Sequence, residues 1–451
     1  MPRTVYVVHC IDTEGPLYED KEVVFDQIEA IYGIKLERNI ETVEKILKYE
    51  MNLEGYENEI HTLVFQHMKK TKGNWDEIDK QIQMITTKEY RNLLKDTSGN
   101  GWIYSWFCMD HVGFTGKNPR RRAEGHHVVF DYYRNLVKVQ NLGDIVQFHH
   151  HPVSISGNYN DSGTAYWGSD VLNQILCRKI IDRQWFPSVY RPGFHTERPD
   201  SHWFLEQWIP FDYGNQSVKN KQNAQKDLDN GRFGNWRYAP TEWFPYHPSH
   251  DDYQKKGSCR RWITRCLNMS ARIREITIDD IRDAFIAAAD GQDVILSFTN
   301  HDYKDMDAEI TRVRNILSEV VKEFSEVRFE YVDALNAMRK VTNEKIEKIG
   351  MNLEVREKEY PPRIVVTAEG DIFGPQPYLA IKDKQGNYYW DNFDFVQEKI
   401  WAYTFDNNTI DYESVSQIGV ATNNKSGVVE IVIYDFDNSS IEKTCVNFEE
   451  N

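Results

Sequence analysis

The run Ile145-Val146-Gln147-Phe148-His149-His150-His151-Pro152 decides how this chain is read. Its apolar start predicts a strand, and because strand side chains alternate between faces, His149 and His151 point one way while His150 points the other. Two imidazoles converging at a strand end suit a divalent metal such as zinc, cobalt, nickel or iron, but they need a further ligand. The best candidates lie near the start of the chain, where Val5-Tyr6-Val7-Val8 leads through Cys10 and Ile11 into Asp12-Thr13-Glu14-Gly15-Pro16. The same alternation puts Asp12 and Glu14 on one face, and Gly-Pro ends the strand.

Around these two runs, strand-like and helix-like segments alternate. Strands are expected at 5–10, 102–109, 144–149, 188–191, 211–213, 294–299 and 327–331, and helices at 24–49, 76–95, 127–137, 169–183, 199–208, 279–289 and 305–324. Short, continuously apolar strands separated by helices argue for a parallel sheet covered on its faces, closed as a barrel or open and doubly wound. No glycine-rich nucleotide fingerprint follows any of these strands, which favours the barrel. Chemistry in such a barrel gathers at the carboxyl ends of the strands, where both clusters lie.

After about Lys348 helical periodicity disappears. Alternating runs such as 363–366, 378–381, 399–403 and 428–433 are separated by turns, among them a hairpin signal at Lys384-Gln385-Gly386-Asn387. The fold class expected is therefore α/β: a (β/α) barrel over 1–345 followed by an all-β, sandwich-like domain over 350–451.

At 451 residues two domains is the natural prior. A formal charge of -16 weighs against a nucleic-acid partner. Arg120-Arg121-Arg122 is the only compact basic run and reads most simply as a solvated loop. No apolar stretch approaches the roughly 18 residues needed to span a bilayer, and no leader pattern is visible, so a cytoplasmic protein without a membrane span is expected. The six cysteines show neither zinc-knuckle nor disulfide spacing.

Four expected strand ends carry chemistry. They are Asp12/Glu14, His149/His151, the turn Tyr190-Arg191-Pro192-Gly193-Phe194-His195, and Asn300-His301-Asp302-Tyr303. A guanidinium such as that of Arg191 beside a carboxylate would hold it ionised and oriented. His301 either caps the following helix together with Asp302 or titrates near neutrality as an acid. Aromatic residues near the motifs, Trp167 among them, could stack on a sugar ring. The long stretches 154–168 and 215–252 are candidate substrate loops.

In order and position these motifs resemble the polysaccharide deacetylases, NodB-like carbohydrate esterases built on a distorted (β/α) barrel. The resemblance covers roughly residues 1 to 345 and rests on Ile11 to Pro16, His149 to Pro152, Tyr190 to Gly193, Phe211-Asp212-Tyr213-Gly214 and Leu296 to His301. It implies that Asp12 is the catalytic base, that Glu14, His149 and His151 hold the metal, zinc first among the candidates, that Arg191 tunes the base, and that His301 is the general acid. Asp212 and Tyr213 would shape the pocket and help place the arginine. The implied reaction is hydrolysis of the acetamide of an N-acetylated sugar, in a divergent branch like the deacetylase-like proteins encoded with surface-polysaccharide (O-antigen) genes.

The chain departs from the common family pattern by having DxE rather than adjacent acids, and HxH rather than histidines four apart. Which acid is base and which is ligand stays open. Rival readings are another metal-dependent amidase, a carboxylate-using glycosidase, and a non-catalytic carbohydrate-binding or scaffold protein. In the last, the C-terminal β-domain with Trp390, Trp401 and Tyr403 would bind glycan or mediate a homo-oligomer.

Overall fold

The computed structural model describes residues 3–16, 21–69, 71–110, 127–152, 165–219, 234–270 and 274–448. The Arg120 to Arg122 run, residues 154–164 of the first expected loop and residues 220–233 of the second lie outside them.

The apolar run after Arg3 becomes β1 (Thr4–Thr13), buried along nearly its whole length. Around it lie β2 (Tyr104–Cys108), β3 (Ile145–His150), β4 (Val189–Pro192), β5 (Phe211–Asn215), β6 (Trp262–Arg265), β7 (Leu267–Asn268), β8 (Val294–His301) and β9 (Arg328–Tyr331). Every pairing among them is parallel, as expected for strands buried on both faces. The sheet runs β6-β5-β4-β3-β2-β1-β8-β7, with β9 also on β1. β6 and β7 sit at opposite ends of that order yet are separated in sequence only by Cys266, so the sheet curls into a nearly closed barrel.

Register places the candidate residues at one mouth. Asp12 pairs with His301 across β1 and β8, and His149 pairs with Arg191 across β3 and β4. Below them the barrel interior is filled by Val8, Cys10, Phe107, Val189, Phe211, Tyr213, Cys266 and Ile295. All six cysteines are free.

The helical expectations need correction at the amino end. The stretch 24–49 is two helices, Lys21–Tyr32 and Ile40–Leu47, interrupted where Gly33 turns left-handed at φ 73° and its N–H bonds Glu29 O at 2.9 Å. A further helix, Glu57–Lys69, was not anticipated; it joins the other two in a small core of their own with Val24, Ile28, Val43, Ile46, Ile60 and Leu63. The stretch 76–95 stops at Ile85 and restarts as the short helix Lys88–Arg91, capped by the Thr87 hydroxyl. Helix Ala334–Thr342 was also not anticipated.

From Met351 the chain is antiparallel. One sheet has the order β10-β11-β15-β14 and the other β13-β12-β16-β17-β18, where β10 to β18 are Met351–Arg356, Arg363–Ala368, Tyr378–Asp383, Tyr388–Asp391, Asp394–Gln397, Ile400–Thr404, Val415–Asn423, Val429–Asp435 and Ser440–Val446. Inner faces of both sheets share a core of Met351, Ile364, Val366, Leu379, Trp401, Tyr403, Ile418 and Val420. The second sheet also packs on helix Val171–Arg183 of the barrel, with Gln174 Nε2 donating to Tyr388 O at 2.7 Å and Tyr378 Oη to Asn173 at 2.8 Å. Hydrophobic packing is continuous across this junction. Among the described residues no helix is long and apolar enough to cross a membrane.

Candidate metal and catalytic site

β1 delivers Asp12, with Glu14 just beyond its end; both are buried. Asp302, just past β8, holds this turn: Oδ1 accepts the Glu14 N–H at 3.0 Å, Oδ2 accepts the Gly15 N–H at 2.9 Å, and Oδ2 also accepts the Tyr133 hydroxyl at 2.8 Å. Asp302 therefore clamps the acidic turn, whereas Asp305 caps the following helix by accepting the Ala308 N–H. The sequence offers His301 with Asp302 as a helix cap, so this is a correction. Its physical reason is that the parallel neighbours β1 and β8 end side by side, bringing the Asp302 carboxylate to the N–H groups of the turn.

Glu14, His149 and His151 come together, with one potential ligand atom from each lying within 4.8 Å of the others. His149 Nε2 and His151 Nε2 are 2.8 Å apart, and His151 Nε2 is 3.4 Å from Glu14 Oε1. Ligands about 2.0–2.1 Å from a tetrahedral ion sit about 3.3 Å from one another, close to these separations. The carbonyl of Arg191 lies 3.0 Å from His149 Nδ1. A carbonyl only accepts, so the ring proton is on Nδ1 and the Nε2 lone pair faces its partners. Burial, with smaller contributions from His151 and Arg191, lowers His149 to about 4, leaving a neutral imidazole near pH 7. The donor set fits a divalent ion.

Asp12 lies against this trio. Burial alone would raise its pKa, but the Arg191 guanidinium and His149 outweigh burial and hold the carboxyl well below the usual carboxylate range. The Arg191 contact is bidentate, Nε to Oδ1 at 2.7 Å and a terminal nitrogen to Oδ2 at 3.0 Å. Arg191 also donates to Tyr213 O at 2.7 Å. Asp12 Oδ1 is 3.7 Å from His149 Nδ1.

His301 is partly buried, with Nε2 4.0 Å from Glu14 Oε1. The sequence suggests that it titrates near neutrality; burial and the Lys304 ammonium instead lower it to about 3, so its resting form is neutral. His150 points away from the trio, as alternation requires, and its ring meets Phe148 and Tyr166.

Three residues offered as substrate contacts are placed elsewhere. Asp212 is buried in a separate ionic cluster, paired with Arg261, whose other partners are Glu197 Oε2 at 2.7 Å and His202 Nδ1 at 2.7 Å. Tyr213 is buried in the barrel interior with its hydroxyl on Ala334 O at 2.7 Å, and only its carbonyl reaches the site, through Arg191. Strand alternation turns the two side chains of this short β5 to opposite faces, both sealed. Trp167 is 58% exposed and packs on Trp203 with the rings tilted by 36° and their centroids 5.9 Å apart. In the β-domain Trp401 and Tyr403 are buried in the core and cannot offer a glycan platform. Trp390 is partly buried against the barrel side.

Sequence reasoning gave Asp302 only a helix-capping role and assigned none to His195. The signal for Asp302 was its position one residue beyond His301 on a strand pairing with β1.

No family model matches the chain, and no curated protein matches it. Among solved structures it is similar to a protein of Parabacteroides distasonis provisionally described as a glycoside hydrolase/deacetylase. That similarity has 9% sequence identity, covers 99% of this chain and 85% of the other, and has a TM-score of 0.37.

Proposed function

We propose that the chain is a divalent-metal-dependent hydrolase that removes the acetyl group from an N-acetylated amino sugar, an intermediate of surface-polysaccharide synthesis handled in the cytoplasm. The observation that carries this reading is the convergence of Glu14, His149 and His151 beside an Asp12 carboxylate already locked to Arg191. The motif resemblance supports the sugar as substrate class, and the barrel segment 1–345 is the part that carries the chemistry. The segment 350–451 buttresses it through helix Val171–Arg183.

Glu14, His149 and His151 would hold the ion, zinc being the first choice for two imidazoles and a carboxylate. When bound, such an ion supplies Lewis-acid polarisation of a carbonyl and a water of lowered pKa. The chain's own groups do the proton work. Asp12, ionised and oriented by Arg191, accepts the proton of the attacking water. His301, its register neighbour on β8, is neutral at rest and can accept that proton before donating it to the amine nitrogen as the C–N bond breaks. Acetate and the free amine are the products.

The test is acetate release by metal-loaded protein from a panel of N-acetylated sugars and nucleotide sugars. Acetate that disappears on chelation and returns on metal addition supports the reading. Release of new reducing ends without acetate would identify a glycosidase, and sugar binding without turnover a non-catalytic protein.

A further inference from the structure

His195 is built into the mouth in a way that neither packing nor the metal trio requires. It follows β4 in a turn where two successive non-glycine residues, Phe194 and His195, adopt left-handed backbone at φ 50° and 52°. Such conformations are uncommon for bulky residues and persist where surroundings over-determine them. The determinants are visible. Trp236 Nε1 donates to the His195 carbonyl at 2.8 Å, and a Cβ on Gly234 would overlap that same carbonyl. On the other side, a Cβ on Gly193 would strike the His151 ring. The turn is thus held from both flanks, and it carries His195 down to 8% exposure.

The ring's tautomer follows from one contact. A terminal nitrogen of Arg191 lies 3.3 Å from His195 Nδ1. A guanidinium donates only, so Nδ1 is the acceptor and, in the neutral ring, the proton is on Nε2. Burial, reinforced by Arg191, pushes His195 well below the usual histidine range, which keeps the ring neutral. Nε2 makes no hydrogen bond among the described residues, yet it is not sealed in as Nδ1 of His301 is. The groups that act electrostatically on the ring include Arg191, Asp12, Arg274 and His301.

Resting on the hydrolase reading above, we propose that His195 is a substrate-orienting donor, its Nε2–H presented to an acceptor oxygen of the bound sugar while Nδ1 braces Arg191. Arg191 thereby links two tasks: the terminal nitrogen that donates to Asp12 Oδ2 also donates to His195 Nδ1, so one guanidinium fixes both the base and the donating tautomer of His195.

Two substitutions separate the donor from the brace. His195→Asn keeps an acceptor near Nδ1, tolerates left-handed backbone and lacks the Nε2 donor; His195→Gln places an amide N–H near the Nε2 position. With N-acetylglucosamine or the best substrate of the panel, His195→Asn is expected to fold and carry the wild-type metal content. Its kcat/KM should fall at least about tenfold, chiefly through KM, and His195→Gln should regain part of it. Full activity in His195→Asn with a loss in His195→Gln would reduce His195 to a brace and overturn the proposal. Independently of turnover, nitrogen-15 NMR of the imidazoles should show His195 as the Nε2–H tautomer, and an Nδ1–H tautomer would also overturn it. Wild-type protein that releases no acetate would sink the hydrolase reading, while the tautomer measurement still decides this assignment.

Discussion

Two ionic clusters lie buried in the barrel, and each is built on one guanidinium gripping an aspartate. In the first, Arg261 joins Glu197 and Asp212; in the second, Arg191 grips Asp12 while Glu14 stands among the imidazoles of His151 and His301. Excess negative charge in a buried place is costly and must be neutralised. The Arg261 cluster can do so with a proton, since burial and the adjacent Glu197 push the Asp212 carboxyl up. The second cluster cannot readily do the same at Asp12, whose carboxyl is held down, and its His149 and His301 imidazoles are neutral. It brings the Nε2 atoms of His149 and His151 together with a Glu14 oxygen, where the Arg261 guanidinium is engaged by both of its carboxylates. The first arrangement suits a scaffold; the second brings together a donor set that a divalent ion could occupy.

The largest expected effect that would break this contrast is at the trio. His149→Ala should abolish stoichiometric metal binding and lower acetate release by about 10³-fold or more, roughly 4 kcal/mol in the barrier, with the fold retained by circular dichroism. Retained turnover would contradict it. At the scaffold cluster the prediction inverts. Arg261→Met leaves Glu197 and Asp212 without their cation, and denaturant melts should show a loss of about 3–5 kcal/mol, while the folded fraction still binds metal.

The Arg191–Asp12 pair sharpens the contrast through pH. Asp12 has a depressed pKa, so its carboxylate persists as pH falls through the ordinary carboxylate range and is lost only below it. In Arg191→Lys the bidentate grip is lost while burial still raises the pKa, so the acid limb of kcat should move to higher pH, together with a fall in kcat of about tenfold or more. An unmoved limb would mean that Asp12 is not the titrating base. A further effect is expected in Asp302→Asn, which weakens the acceptor for the Glu14 and Gly15 N–H groups; metal affinity should drop about tenfold as read by chelator competition.

How much of this was legible beforehand follows from geometry. Alternation along β1 and β3 is a local rule, and it sufficed to place Asp12 and to pair His149 with His151. That four motifs meet at one mouth followed from their shared position at the ends of parallel strands. The pairing of Asp212 with Arg261 was not legible because the two lie 49 residues apart, and nothing local distinguishes a carboxylate facing a pocket from one facing a buried guanidinium. Trp401 and Tyr403 share a strand face by the same period of two, and that face is the inner one of the β-domain. Helix Glu57–Lys69 is rich in polar residues, and its buried Ile60, Leu63 and Val64 reveal their helical spacing only against the neighbouring helices.

The central claim is that Glu14, His149 and His151 hold a divalent cation. Metal analysis of purified wild-type protein after chelation and reloading with zinc tests it most directly, with His149→Ala beside it. One zinc per wild-type chain and none in the variant is the predicted result; no zinc in the wild type, or equal zinc in both, would contradict it.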